Sequence, residues 1–269
     1  MKIQISNLQK CETFVSIFQH MKQFTDCLNI MFKEDEMFIQ SMDNGRVLVF
    51  EIRLPKNWFD LYEPGYGTTT IGIHTSMFFK IMNIRDKSQE LVLETNPSTS
   101  HLNILLQKSP NKTIFDKHFE LPLMDIEYDL MDIPHIDHQA DFSLESTTFA
   151  TLINQLRIFG ETVTIDCTEE HIQMSSNSPE HGKMMTNIPI EDLQEYAIEE
   201  GETLSISFAL KYMHDICLYQ KISKHIMIGI SGNYPMKVRY DLGCTEDESQ
   251  SDKSEMCFYI APRIDDNEL

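Results

Sequence analysis

Residues 13–40 and 148–173 carry the same apolar pattern, so this chain is built from a duplicated module. Phe14 falls on Phe149, Phe18 on Ile153, Met21 on Leu156 and Phe24 on Phe159, each at an offset of 135. Leu28 meets Val163 and Ile30 meets Ile165 at that offset, and Ile39-Gln40 then matches Ile172-Gln173 at 133. The turn between them therefore differs by two residues. The first offset returns farther on, where Ile81-Met82 falls on Ile216-Cys217 and Leu91-Val92-Leu93 on Ile226-Met227-Ile228. Separate segments sharing one offset, about half of the 269 residues, imply two similarly folded halves, each with two helix-plus-strand units.

Each half reads the same way. Cys11, Phe14, Val15 and Phe18 recur at i, i+3, i+4 and i+7, one face of a helix, and Phe149, Leu152, Ile153 and Leu156 repeat that spacing. Ser146 stands where an N-cap is expected and Gly160 where a helix would stop. Met77, Phe78, Ile81 and Met82 predict a shorter helix, and Ala209, Met213, Ile216 and Cys217 a fourth. Apolar runs of strand length occupy 68–73, 91–95, 102–106, 163–167, 226–231, 237–242 and 256–260. Many strands with four helices predict an α+β chain whose helices cover one face of antiparallel sheets.

Residues 121–138, between the halves, combine prolines and acids with Met124, Ile126, Met131 and Ile133. A solvated linker needs no such side chains. Some should pack back on a sheet, and a connector that keeps others at the surface reads as a docking site. The expected organisation is a first domain at 1–121, a connector at 122–138 and a second domain at 139–269. Serines and acids at 245–253 predict a second loop.

Charge narrows the partners. Forty-two acidic against 22 basic side chains give −20, the wrong sign for a simple nucleic-acid binder. The helix windows 9–22, 75–83, 146–158 and 209–220 invert that sign, with Lys10, Lys22, Lys80, Arg157 and Lys211 against Glu12 and Asp215. A weakly positive helix face on a negative body suits contact with DNA phosphates along one surface and repulsion elsewhere.

No phosphate-binding loop, nucleophile elbow or zinc-protease helix motif occurs. Gly65-Tyr66-Gly67 begins like a dinucleotide fingerprint, but Thr70 stands in place of its third glycine. His135 and His138 around Asp137 have metal-ligand spacing, yet on an acidic loop without a cysteine partner they read as surface. Cys11, Cys27, Cys167, Cys217, Cys244 and Cys257 form no C-x-x-C pair and read as buried free thiols of a reducing compartment. Without an apolar run of membrane-spanning length or a signal-like start, the chain is expected to be soluble and intracellular. No enzymatic activity, cofactor, metal or membrane contact is expected.

Several segments together resemble the proliferating cell nuclear antigen family of DNA sliding clamps. They are Gln40-Ser41-Met42-Asp43 with Arg46-Val47-Leu48-Val49, Phe59-Asp60-Leu61-Tyr62, the connector from Leu123-Met124-Asp125 to Ile133-Pro134, Phe208-Ala209-Leu210-Lys211-Tyr212, and Tyr259-Ile260-Ala261-Pro262-Arg263-Ile264. They keep the family's order across nearly the whole chain. The resemblance implies a ring-shaped homotrimer of two-domain clamp folds, with helices lining a central hole and edge strands at 113–121 and 183–189 pairing between copies. It also implies that clients insert a short motif of a glutamine, an aliphatic residue and two aromatics under the connector. By position the receiving residues are Met42, Val49, Met131, Ile133, Pro235, Tyr259, Ala261 and Pro262; a methionine at 131 suits varied partners. Val15-Ser16 stand where the family has a lysine pair, Glu169 where it has a modifiable lysine, and the 243–253 loop is long. These departures suggest a divergent member, viral or protist.

What the resemblance implies about function is a polymerase processivity factor. A closed ring would hold duplex DNA by topology while Lys10, Lys22, Lys80, Arg157 and Lys211 touch phosphates without reading bases. Polymerases and other clients would be tethered to it, an ATP-driven clamp loader would open it, and it would work in the nucleus or at a cytoplasmic viral replication site. Two other readings stay open: a checkpoint-type subunit of a heterotrimeric clamp, and an acidic metal-dependent nuclease.

Overall fold

The computed structural model describes residues 1–96, 98–108, 114–127, 129–232, 234–243 and 253–263. Thr113 of the expected edge strand, Cys244, the 245–252 part of the acidic loop and Ile264 lie outside those residues. The chain divides into two units, one made of Met1–Asn44, Phe50–Met131 and Leu242–Met256, the other of Gly45–Val49, Asp132–Asp241 and Cys257–Leu269.

The first half runs β1 (Lys2–Ile5), α1 (Leu8–Gln19), β2 (Cys27–Phe32), β3 (Glu36–Met42), β4 (Leu48–Pro55), β5 (Leu61–Glu63), β6 (Thr69–His74), α2 (Thr75–Met82), β7 (Gln89–Glu94), β8 (His101–Lys108) and β9 (Lys117–Pro122). The second repeats it with β10 (Ala140–Glu145), α3 (Ser146–Leu156), β11 (Thr162–Cys167), β12 (His171–Ser178), β13 (Gly182–Pro189), β14 (Glu195–Ile198), β15 (Leu204–Ala209), α4 (Leu210–Cys217), β16 (His225–Ser231), β17 (Tyr234–Asp241) and β18 (Glu255–Ile260). Duplication is plainest in strand order. The first half's strands neighbour one another as β5-β1-β7-β8-β9 and β4-β3-β2-β6, the second's as β14-β10-β16-β17-β18 and β13-β12-β11-β15. β1 pairs antiparallel with β5 and β7, as β10 does with β14 and β16. This is one α+β topology, made twice.

The aligned apolar residues occupy equivalent core sites. Phe14, Phe18, Leu28 and Ile30 are at most 2% exposed, as are Phe149, Ile153, Val163 and Ile165. The first unit packs its helices through aromatics: the Phe18 ring meets Phe14 at 5.1 Å and Phe78 edge-on at 4.7 Å. Truncating Phe18 to alanine would remove about 3–5 kcal/mol. The second packs aliphatic side chains instead, with Ile153, Leu156, Met213 and Ile216 buried.

Helix ends show what spacing alone cannot. Asn7 caps α1 by accepting from the N–H groups of Gln9 at 3.0 Å and Lys10 at 3.1 Å, worth about 1 kcal/mol. Ser146, expected as an N-cap, is the first helical residue of α3, and Glu145 holds the cap position. The Glu145 carboxylate accepts the Thr148 hydroxyl at 2.8 Å and makes no cap bond to a backbone N–H. Gly160 is likewise no terminator, because α3 ends at Leu156 with Arg157 as its C-cap. Close approach explains that glycine: a Cβ there would lie 2.7 Å from the Asn177 carbonyl oxygen and 2.8 Å from Ser176 Oγ. Met77, expected on the buried face of α2, is 44% exposed. No helix among the described residues is long and apolar enough to cross a membrane.

Candidate functional site

The connector's first half crosses three strands of the first unit, held once by each. The Met124 N–H donates to the Gly72 carbonyl of β6 at 2.9 Å, an isolated antiparallel bridge. A Cβ at position 72 would sit 2.3 Å from the Met124 carbonyl oxygen and 2.9 Å from Ile126 Cδ1, so glycine is what lets the connector come this close. Asn29 of β2 donates through Nδ2 to the Ile126 carbonyl at 3.0 Å. Gln40 of β3 takes the Met131 N–H on Oε1 at 2.7 Å and donates Nε2 to the Met131 carbonyl at 2.9 Å. Residues 124, 126 and 131 thus meet β6, β2 and β3 in their order in the sheet. Met131 is half-buried there, and so is Met42, two residues along β3 from Gln40 and on the same face.

Cys27 lies at the first crossing, half-buried, its Sγ 3.6 Å from Met124 Sδ. That corrects the expectation of a buried thiol at this position. Cys11, Cys167, Cys217 and Cys257 are buried free thiols. Burial pushes Cys11 up to about 11 and Cys167 and Cys217 up to about 12, which leaves them inert as nucleophiles at neutral pH.

In the second unit Gln139 anchors the connector's far end. Its N–H donates to Ser231 Oγ at 3.1 Å, its carbonyl accepts the Glu199 N–H at 3.1 Å, and its Oε1 accepts the Gly232 N–H at 2.7 Å. The preceding residue, His138, lies on Gly229 of β16, where a Cβ would be 2.3 Å from the ring. Its Nδ1 is buried and has no hydrogen-bond partner among the described residues. Burial holds the imidazole below its ordinary pKa; Asp141 and Asp137 oppose this, and Lys237 and His135 reinforce it. Burial also pushes the Asp141 carboxyl up. The ring with metal-ligand spacing is therefore packed against the sheet, and among the described residues no three metal-ligating side chains converge.

Of the expected client-binding residues in this unit, Val49, Ile133, Tyr259, Ala261 and Pro262 are half-buried and Pro235 is exposed. The Ala261 N–H donates to the Val47 carbonyl at 3.0 Å, which fixes the chain just past β18. Lys237 Nζ stands 5.8 Å from the Tyr259 ring centre.

The five helix cations divide four to one. Lys22 in the 3-10 turn after α1, Lys80 in the last turn of α2, Arg157 at the α3 C-cap and Lys211 in α4 are all exposed. Lys10 is half-buried; its Nζ donates to the Trp58 carbonyl at 2.8 Å and lies 5.5 Å from the indole centre. Its charge is satisfied within its own unit. Elsewhere the exposed helix surface is largely neutral, with α3 showing Thr147, Thr148, Thr151, Asn154 and Gln155.

Family comparison follows the duplication. The description "Proliferating cell nuclear antigen, N-terminal domain" matches residues 5–130, and "Proliferating cell nuclear antigen, C-terminal domain" matches 132–252. The chain belongs to the proliferating cell nuclear antigen family. The protein of that name from Chaetomium thermophilum is 24% identical over 270 residues, an alignment covering 98% of this chain and 99% of the relative. Between the two family matches lies Met131, the residue clasped by Gln40. Where the family's lysine pair is expected, Val15 and Ser16 are half-buried. Where its modifiable lysine is expected, Glu169 accepts the Gly201 N–H at 2.8 Å. Sequence reasoning missed the anchors of the family's connector: Gly72, Asn29, Gln40 and Gln139. A mid-strand glycine was the one local signal; the others are ordinary polar strand or loop residues until their distant partners are known.

Proposed function

We propose that the protein is a DNA polymerase processivity factor, a sliding clamp that encircles duplex DNA and tethers replication and repair proteins to it. One observation carries this reading: each half of a duplicated α+β topology matches one domain of the proliferating cell nuclear antigen family. The activity needs no catalytic group. Three copies closing into a ring would confine DNA mechanically, while Lys22, Lys80, Arg157 and Lys211 meet phosphates without reading bases. By the family resemblance, the residues receiving client peptides would be Met42, Val49, Met131, Ile133, Pro235, Tyr259, Ala261 and Pro262. A closed ring requires an ATP-driven loader. The site of action is the nucleus or, for a viral chain, a cytoplasmic replication site.

Two strand edges support self-association. β9 and β13 stand at the ends of their strand orders. Each leaves a row of backbone groups open to pairing, a liability that closing a ring removes. Apolar side chains flank both edges: Phe115, just before β9, is 84% exposed, and Met185 on β13 is 54% exposed.

Light scattering followed by primer extension tests the proposal. Three chains of 31.3 kDa give a particle of about 94 kDa, and the cognate polymerase should make longer products on a long primed template once the loader and ATP are supplied. A monomer, or products of unchanged length, refutes it; a trimer formed only with other subunits favours the checkpoint-type clamp.

A further inference from the structure

The clasp between Gln40 and Met131 is more specific than a strand needs. Gln40 Nε2 also donates to Glu51 Oε1 at 2.9 Å. Glu51 is 8% exposed, and its other oxygen lies 3.6 Å from Arg53 Nη2. A carboxylate paired with arginine can only accept, so the side of the Gln40 amide that faces Glu51 must be its nitrogen. One Nε2 hydrogen goes to Glu51 and the other to the Met131 carbonyl, leaving Oε1 to take the Met131 N–H. The side-chain amide thus imitates a paired strand at one connector residue. Arg53 is fixed in turn, its Cζ 4.4 Å from the Phe38 ring centre and its Nη1 3.3 Å from Glu36 Oε1. Farther along the chain, within the second unit, Gln139 is held by Ser231 and Gly232.

We infer that Gln40, oriented by Glu51, is a positioning residue for client docking: it fixes the connector backbone at Met131, and hence how Met131 is presented to an incoming peptide. This rests on the client-docking reading above. The occupant is the client motif of a glutamine, an aliphatic residue and two aromatics. Without the clasp, the presenting conformation becomes a fraction of the ensemble, and apparent affinity falls by that fraction.

The test compares the wild-type chain with Gln40→Met and with the exchange Gln40→Glu/Glu51→Gln. Its probes are a synthetic peptide carrying that motif, hydrogen exchange at the Met131 amide, and thermal unfolding. Gln40→Met keeps the side chain's bulk and removes every clasp bond. It should weaken peptide binding by about tenfold or more and speed Met131 exchange, while particle mass stays constant. The exchanged pair restores the bond between positions 40 and 51 but sets a carboxylate oxygen against the Met131 carbonyl. It should therefore recover thermal stability and leave peptide binding weak. Recovery of both by the exchanged pair would make the contact a simple sheet brace and overturn the inference, as would a Gln40→Met protein that binds peptide like wild type. A wild-type chain that ignores the peptide overturns the client-docking reading, and the inference with it.

Discussion

Replacing Gly72 with alanine isolates what holds the connector down. Gly72 is an ordinary strand residue, outside the positive-φ glycines, so alanine fits its backbone. Such a change by itself stabilises by about 0.4–1 kcal/mol through the unfolded chain. Opposing it, the new Cβ would be 2.3 Å from the Met124 carbonyl oxygen. Reaching normal contact requires the connector to withdraw by about 1 Å, and that stretches the 2.9 Å Met124–Gly72 hydrogen bond past its useful range. Losing the bond removes about 1 kcal/mol, and displaced packing around Ile126 about 1–3 kcal/mol more. The loss is capped by what the connector contributes, because the strand can keep its place in the sheet while the connector lifts. A net loss of about 1–3 kcal/mol corresponds to a fall of roughly 2–4 °C in Tm for each kcal/mol. Hydrogen exchange read by mass spectrometry or NMR should show the Met124 amide losing protection while β2 and β6 amides keep theirs. If Met124 protection is unchanged and Tm holds or rises, the close approach at Gly72 does not hold the connector and the reasoning fails.

Three further outcomes follow from the same geometry. Ile133→Ala combined with Tyr259→Ala should abolish binding of the client-motif peptide, measured by fluorescence anisotropy, with no change in particle mass; retained binding would move the docking site elsewhere. Lys10→Ala should lower Tm, since its bond to Trp58 is internal, yet leave the salt dependence of duplex binding unaltered, whereas Lys211→Ala should flatten that dependence by up to about one unit per contacting copy. Burial holds the His138 pKa below 6.5, so the unfolded or undocked chain takes up the proton first as pH falls. Its contribution to stability is complete above about pH 6.5 and lost as pH falls towards the folded value. The protection factor at Glu199, whose N–H is held by the Gln139 carbonyl, taken against the intrinsic exchange rate at each pH, should therefore fall as pH drops below about 6.5, and that fall should vanish in His138→Gln.

The duplication was legible because it is written in apolar residues, whose periodicity survives when identities do not. Phe18 and Ile153 share no chemistry beyond size and hydrophobicity, yet both are fully buried on the first helix of their unit. Short edge strands such as β5 and β14 lack that signature, since a strand with one wet face needs few apolar residues. Capping failed at Ser146 because a one-residue phase error moves a hydroxyl from the cap to the first turn, and periodicity does not set phase that finely. Lys10 was grouped with the other cations because charge is visible in sequence, whereas its acceptor on Trp58 is 48 residues away. The connector's anchors were invisible for the same reason: Gln40 and Met131 are 91 residues apart.

The charge balance also bears on how such a clamp works. At −20 per chain, three copies would carry about −60, and of the helix-window cations Lys22, Lys80, Arg157 and Lys211 are the exposed ones. At physiological salt the distant acids are largely screened, and phosphate contacts made by so few cations are weak and salt-sensitive. In the proposed ring, persistence would therefore come from closure rather than from affinity. If α3 faces the duplex as proposed, its exposed hydroxyls and amides would exchange hydrogen bonds with passing phosphates without counterion release. In that proposal grip is left to ring closure, and the connector, held at Gly72, Asn29 and Gln40 and again at Gln139, would serve clients.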